Sequence, residues 1–244
     1  MTQVDILAVF AHPDDVELAV GGTLLKMKHL GYRTGALDVT QGEMGTRGTP
    51  EGRAKESEEA AAILKLDLRE NLGLPDGHVF VTDAERVKMV RMLRRLKPKV
   101  ILTHQDGDPH PDHNHIVQLV RESARLSSML RFDEETGAEK IPVPNVAHNI
   151  FSRRVIPSFI IDVSDFLEQK MDAIRAHRSQ FYDPNSTEPE TRLTAKNFID
   201  EIEQRSRYFG SLIGTAAGEP FFVREALNIE DPVDLLTRSM NLYS

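Results

Sequence analysis

The chain has 244 residues, 40% hydrophobic and 28% charged, with a formal net charge of −8. That length suits one large folded domain, and the acidic balance argues against a nucleic-acid partner, which would be met by a net basic face. No cysteine is present, which excludes disulfides, thiolate metal ligands and cysteine nucleophiles, so histidines and carboxylates must hold any metal. The first residues show an acidic group before a short apolar run and no basic stretch, unlike a secretory signal. No apolar run nears the ~20 residues that cross a bilayer, so a cytoplasmic protein with no membrane partner is expected.

Residues 4–11 form a nearly continuous apolar run, the pattern of a strand buried on both faces. Helical sequence follows to about residue 30, where Gly31 stops it. A strand over 34–40, a helix over 51–66 with Ala54, Ala61 and Leu64 on one side, and a short strand over 68–72 come next. A helix over 83–96 ends before Pro98, then a strand over 100–103 leads into a helix over 112–130. After a charged, proline-bearing excursion at 132–144, strands are expected at 147–151 and 159–163. Ser164 or Asp165 caps a helix carrying Phe166, Met171 and Ile174, and a last helix over 194–213 is striped by Phe198, Ile202, Phe209 and Leu212.

This alternation predicts right-handed βαβ units, hence an α/β fold with a Rossmann-like, mostly parallel sheet flanked by helices. One domain is expected over 1–244, with a core at about 1–130 and a smaller extension at about 145–244 packed on it. Ligands of such sheets bind beyond the carboxyl ends of the strands. Residues 12–15 follow the first strand and residues 104–113 follow the strand at 100–103, so two distant polar clusters meet at one rim.

Ala11-His12-Pro13-Asp14-Asp15 puts a histidine and two carboxylates into a strand-to-helix turn, its backbone stiffened by proline. His110-Pro111-Asp112-His113 repeats the arrangement after another strand. Two ligands close in sequence plus one from afar make a catalytic metal site with a position open to water. The groups left over are what a hydrolase needs: a base for the water and a partner for developing negative charge. Asp15 and Asp112 also suit helix N-caps, a role that needs only one short side chain.

AHPDD followed by HPDH resembles the LmbE-like, or PIG-L, family of zinc-dependent N-acetylglucosaminyl deacetylases, and the resemblance runs over nearly the whole chain. GEMGTRGTPEGRAKE after the second strand, HRSQFY at 177–182 and GEPF at 218–221 are similar to the branch that deacetylates N-acetylglucosaminyl malate in bacillithiol synthesis. The resemblance implies one Zn2+ held by His12, Asp15 and His113, ligands that Fe2+ would also accept. It implies Asp14 as the general base for the zinc-bound water, His110 as an imidazolium stabilising the oxyanion, and Asp112 orienting His110. A hexamer is likewise implied. Pro109 stands where several relatives have a polar or basic residue. The segment before GEPF lacks the tyrosine that some members place near the oxyanion, leaving Tyr182 and Tyr208 as the nearest in sequence.

The glycine-rich loop at 41–53 overhangs the same rim. Arg53, and next Arg47, are candidates to hold the malyl carboxylates, and Glu43 to accept from sugar hydroxyls. Solvated loop charges or helix-terminal ion pairs are the competing reading for all three. His177 suits the end of its helix through the dipole alone, and Arg205 a buried ion pair. The expected function is N-deacetylation of a small N-acetylglucosaminide, most specifically N-acetylglucosaminyl malate. The rivals are another N-acetylglucosamine conjugate, a metal-dependent phosphoester hydrolase, and a glycan- or metabolite-binding module with a structural metal.

Overall fold

The computed structural model describes residues 3–151 and 155–237. Five strands run parallel: β1 (Ile6–Phe10), β2 (Thr34–Asp38), β3 (Leu68–Asn71), β4 (Val100–Thr103) and β5 (Asn145–Asn149). Two more, β6 (Phe159–Asp162) and β7 (Gly218–Phe222), extend the same sheet, with β7 antiparallel to both β5 and β6. The order is β3-β2-β1-β4-β5-β7-β6. The fold is thus the α/β, mostly parallel sheet expected.

β1 sits centrally because every residue of it is apolar and buried. Its side chains alternate between two cores, as a period of two requires. Leu7 and Val9 join Leu37, Leu93, Ile101 and Ile116 on one face. Ile6, Ala8 and Phe10 join Val20, Leu24 and Leu64 on the other. The first face is covered by α3 (Asp83–Leu96) and α4 (Pro111–Ser127), the second by α1 (Asp15–His29), α2 (Pro50–Ile63) and α5 (Leu167–Ala176). A third cluster seats α6 (Phe198–Leu212) against α5 through Ile174, Phe198 and Ile202. A short α7 (Pro232–Leu236) ends the described chain.

β1 leads to β2 on one side and pairs with β4 on the other, so strand order reverses at the β1–β4 pair. A crevice beyond the carboxyl ends of that pair is where ligands of open α/β sheets bind.

Three expectations need correction. Ser164 does not cap a helix: residues 164–166 form a 3-10 turn, α5 starts at Leu167, and Ser164 Oγ donates to Asp162 Oδ1 at 2.6 Å. The last long helix starts at Phe198, because Thr191 and Thr194 close a turn on each other's backbone instead. Strand β7 was not expected, since Gly218 and Pro220 disfavour a strand on local grounds. It is held by pairing on both edges and by Glu219, whose buried carboxylate accepts from the Gly22 and Thr23 amides and from Lys170. Among the described residues no helix is long and apolar enough to cross a membrane.

Candidate metal centre

The turn after β1 is fixed by its neighbours before it carries any chemistry. Ala11 N–H donates to Nε2 of His104 at 2.9 Å, and the Ala11 carbonyl accepts from Thr40 Oγ1 at 3.0 Å. Asp14 then takes φ 126°, a backbone that L-residues rarely adopt and that costs free energy. Asp14 occupies the N-cap position of α1, yet its side chain makes no capping bond. The strain directs the carboxylate elsewhere, and Asp15 becomes the first helical residue.

His12 Nδ1, Asp15 Oδ2 and His113 Nε2 converge from the two motifs. Their separations are 3.2 Å (His12–Asp15), 3.4 Å (His12–His113) and 3.4 Å (Asp15–His113). A tetrahedral zinc with bonds of ~2.1 Å spaces its ligands ~3.4 Å apart, so the donor set fits such an ion. The distal nitrogens fit too. His12 Nε2 lies 3.0 Å from Asp76 Oδ1, and His113 Nδ1 faces Asp108 Oδ1 at 3.1 Å. A carboxylate behind each imidazole fixes the tautomer that turns a lone pair toward a metal.

Negative charge surrounds both imidazoles. Burial opposes protonation of His12, but bonds to Asp112, Asp15 and Asp76 outweigh it and hold its pKa up at about 12. Burial likewise opposes protonation of His113, and Asp15 and Asp108 raise it to about 9. A second set, His12, His110 and Asp112, also lies within ligand reach. Its Asp112 oxygens are already taken by the backbone N–H groups of Gly77 (2.7 Å) and Val79 (3.2 Å), and His12 Nε2 by Asp76. The first set is therefore the better metal site. His104 is not a ligand, because its Nε2 already accepts from Ala11.

Asp14 is buried, and burial lifts its pKa to about 6, with Arg53 opposing and Asp15 adding to the rise. Arg53 Nη2 lies 3.3 Å from its Oδ2 and donates to the Pro13 carbonyl at 2.6 Å, while Nη1 donates to the Gly42 carbonyl at 3.0 Å. The expectation for Arg53 changes accordingly: it lines the cavity, but both of its Nη groups go to backbone carbonyls rather than to a malyl group. Arg47 is buried and donates to the Pro189 and Glu188 carbonyls, so it clamps a loop and does not face the cavity. Glu43 accepts from the Asp76 and Gln41 amides and supports Asp76 instead of meeting sugar hydroxyls.

Two expected roles in the second motif also change. Asp112 neither caps α4 nor holds His110: the cap is His110 itself, whose Nδ1 accepts from the Asp112 amide. Accepting at Nδ1 leaves Nε2 as the donor of a neutral ring. Burial, followed by the charges of His113 and His12, pulls the His110 pKa below its ordinary value. Both observations oppose the imidazolium that the resemblance implies for His110 and favour a neutral N–H donor. Among the residues not singled out earlier, Asp76 and Asp108 stand behind His12 and His113; each occurs in an Asp-Gly or Asp-Pro context that reads locally as a turn. His177 is fully buried with Nε2 3.1 Å from Glu17 Oε2, a pairing invisible from its helix-end position. Arg205 donates to Asn149 Oδ1 and the Ile150 carbonyl and lies over the Phe151 ring, 3.8 Å from its centroid.

These groups share a cavity of about 800 Å³ whose outer wall adds Met44, Gln105, Asn149, Phe151, Leu193 and Phe198. Neither Tyr182 nor Tyr208 lines it. A hollow of similar size between α3, α4 and Arg224 holds no histidine, and its Arg86, Arg121 and Arg224 are paired with Glu122, Glu225 and Asp106.

A switch-point crevice presenting two imidazoles and a carboxylate at ligand spacing, with a further buried carboxylate alongside, defines a metal-dependent hydrolase of α/β fold. Residues 7–124 match the family described as PIG-L, GlcNAc-PI de-N-acetylase. The diacetylchitobiose deacetylase of Thermococcus kodakarensis is 28% identical over 72% of this chain and 70% of its own. A probable N-acetyl-alpha-D-glucosaminyl L-malate deacetylase 2 of Bacillus cereus is 27% identical over 72% of this chain and 83% of its own. In structure, the conserved protein TT1542 of Thermus thermophilus superposes with a TM-score of 0.83 at 35% identity, covering 93% of this chain and 98% of that one. Residues 7–124 thus carry the match to the PIG-L family, and the chain is an amide hydrolase.

Proposed function

We propose that the chain removes the N-acetyl group from a small N-acetylglucosamine conjugate, giving acetate and a free amine. One observation carries this reading: His12, Asp15 and His113 stand at ligand spacing while the neighbouring buried Asp14 is used neither as cap nor as ligand. A structural site would close with a fourth protein ligand and need no spare carboxylate. A divalent cation held by the three residues, Zn2+ in this reading and Fe2+ by the same ligands, supplies Lewis-acid polarisation of the amide carbonyl and acidifies the attacking water.

The chain's own groups do the rest. Asp14 takes the proton of the attacking water and returns it to the leaving nitrogen. A carboxylate whose pKa is raised to about 6 suits both halves of that task. Arg53 holds the Asp14 turn in place through the Pro13 and Gly42 carbonyls. His110 donates through Nε2 to the oxygen that gains charge as water adds.

The cavity's size and its mix of apolar wall and polar groups support a substrate of about disaccharide size. N-acetylglucosaminyl malate is the particular substrate, supported by the sequence resemblance and by the Bacillus relative. Its malyl carboxylates then meet Arg192, a cavity arginine whose side chain is 63% exposed and also pairs with Glu201. Phe151 and Phe198 in the wall favour a second reading, an N-acetylated disaccharide, on which the Thermococcus relative acts by name. A homo-oligomer, hexameric by resemblance, and a cytoplasmic setting complete the proposal. Exposed Leu227, Val233 and Leu236 near the C-terminus support association.

The test is amine release from N-acetylglucosaminyl malate, diacetylchitobiose and free N-acetylglucosamine, with zinc and after chelation. Zinc-dependent release from one of the conjugates is expected. No release from any of them by the zinc-loaded protein would overturn the reading, and equal rates with and without the malyl group would remove the malate assignment.

A further inference from the structure

We propose that Asp76 is a positioning residue that couples the metal site to the loop covering the cavity. The proposal rests on reading His12 as a metal ligand. Asp76 is buried in the segment between β3 and α3, and both of its carboxylate oxygens and its N–H are committed. Oδ1 stands 3.0 Å from His12 Nε2, Oδ2 accepts the Met44 amide at 2.9 Å, and its own N–H donates to Glu43 Oε1 at 2.8 Å. The following amide, Gly77, is held by Asp112 Oδ2 at 2.7 Å. Asp76 thus joins the β1 turn to the loop at 41–48, and its segment is pinned to the second motif.

Both carboxylate oxygens act as acceptors. With Nδ1 of His12 given to a cation, Nε2 keeps its proton and must donate. The Met44 amide can only donate. Asparagine has one acceptor oxygen, so its NH2 group would confront one of these two donors, and Asp76→Asn cannot keep both bonds. Met44 itself lines the cavity with a side chain that reaches solvent. The Asp108 carboxylate behind His113 lacks such a link: its Oδ1 accepts the His110 amide within the same loop. Metal binding that orients His12 therefore orders the 41–48 loop through Asp76, and ordering of the loop strengthens metal binding in return, because such coupling is reciprocal.

The test compares the wild type with Asp76→Asn, Asp108→Asn and Glu43→Ala. Zinc affinity is read by competition with a chromophoric chelator, and amide deuterium exchange of the 41–48 peptide is read without metal and at saturating zinc. In the wild type zinc slows exchange in that peptide. Asp76→Asn weakens zinc by ~10–100-fold, the range for loss of such an outer partner, and abolishes the zinc-dependent slowing. Asp108→Asn weakens zinc while keeping the slowing at saturation. Glu43→Ala, a surface change that leaves the Asp76 carboxylate intact, reduces the slowing and keeps the proposal testable should Asp76→Asn fail to fold.

Unchanged zinc affinity in Asp76→Asn, or full slowing in either Asp76→Asn or Glu43→Ala, overturns the coupling. Zinc binding by His12→Ala as tight as in the wild type instead removes the ligand reading beneath it. The two failures are thus told apart.

Discussion

The ring of His104 lies flat on that of His113, with centroids 3.8 Å apart and planes inclined by 13°. Burial, reinforced by the charge of His113, keeps His104 neutral, its pKa well below the ordinary value. Because its Nε2 also accepts the Ala11 amide, this one side chain buttresses the ligand from the second motif and fixes the backbone just before His12. Replacing it by alanine leaves a buried N–H without a partner, at a cost of ~1–3 kcal/mol, and frees the face of His113. His104→Ala is expected to melt earlier and to retain less zinc although His104 is no ligand. Thermal denaturation with elemental analysis checks both, and unchanged zinc content would remove the buttress.

Asp14 offers a cleaner separation of chemistry from binding. Asp14→Asn keeps the shape of the side chain and tolerates the positive φ nearly as well. It should hold zinc and melt close to the wild type while turnover falls by ~10²–10⁴, the span for loss of a general base. His113→Ala should lose metal and activity together. Near-normal turnover by zinc-loaded Asp14→Asn would rule out Asp14 as the base.

Gly42 is irreplaceable for two independent reasons. Its φ is +67°, and a Cβ there would sit 2.0 Å from Arg53 Nη1. Gly42→Ala must therefore push Arg53 off the Pro13 carbonyl or distort the loop. A destabilisation of ~1–3 kcal/mol is expected, with turnover reduced at saturating substrate because the Asp14 turn loses its clamp. Urea midpoints and kcat report the two effects separately, and an unaltered kcat would show that Arg53 does not need that position.

Glu17 should make stability depend on pH in the acid range. Burial raises its pKa, but Arg69 and His177 outweigh this and lower it from 4.5 to about 2 in the fold. A carboxyl depressed on folding contributes stability that is complete above the unfolded pKa and disappears as pH falls through the folded one. Glu17→Gln takes the carboxylate partner from His177 and one of two from Arg69, which keeps Asp38, and should cost ~3–5 kcal/mol near neutrality. That gap from the wild type is expected to shrink at about pH 3. Urea unfolding at several pH values measures it, and a gap constant down to about pH 2.5 would refute the ionised Glu17.

Pattern alone made β1, β2, α3 and β4 legible, because their apolar spacing reports burial on one or both faces and Pro98 and Gly31 punctuate them. β7 was not, since Pro220 argues against a strand locally and only pairing with β5 and β6 overrules it. The ligand candidates were legible for a similar reason. A strand followed immediately by a turn and a helix aims its polar residues at the rim whatever the rest of the chain does, so both polar motifs could be placed there before any coordinates, while the choice of His12, Asp15 and His113 among them came from the resemblance.

The destinations of long side chains could not. Arg53 and Arg47 carry the charge that binds carboxylates, yet each went to backbone carbonyls, Pro13 and Gly42 for one and Glu188 and Pro189 for the other. Asp112 went to the Gly77 and Val79 amides, and Asp76 to His12, across 64 residues of chain. The order of residues set which chemistry stands at the strand ends; which of the surrounding charges remain open to a substrate was decided by the folded loops, because a buried donor or acceptor takes the nearest partner that burial supplies.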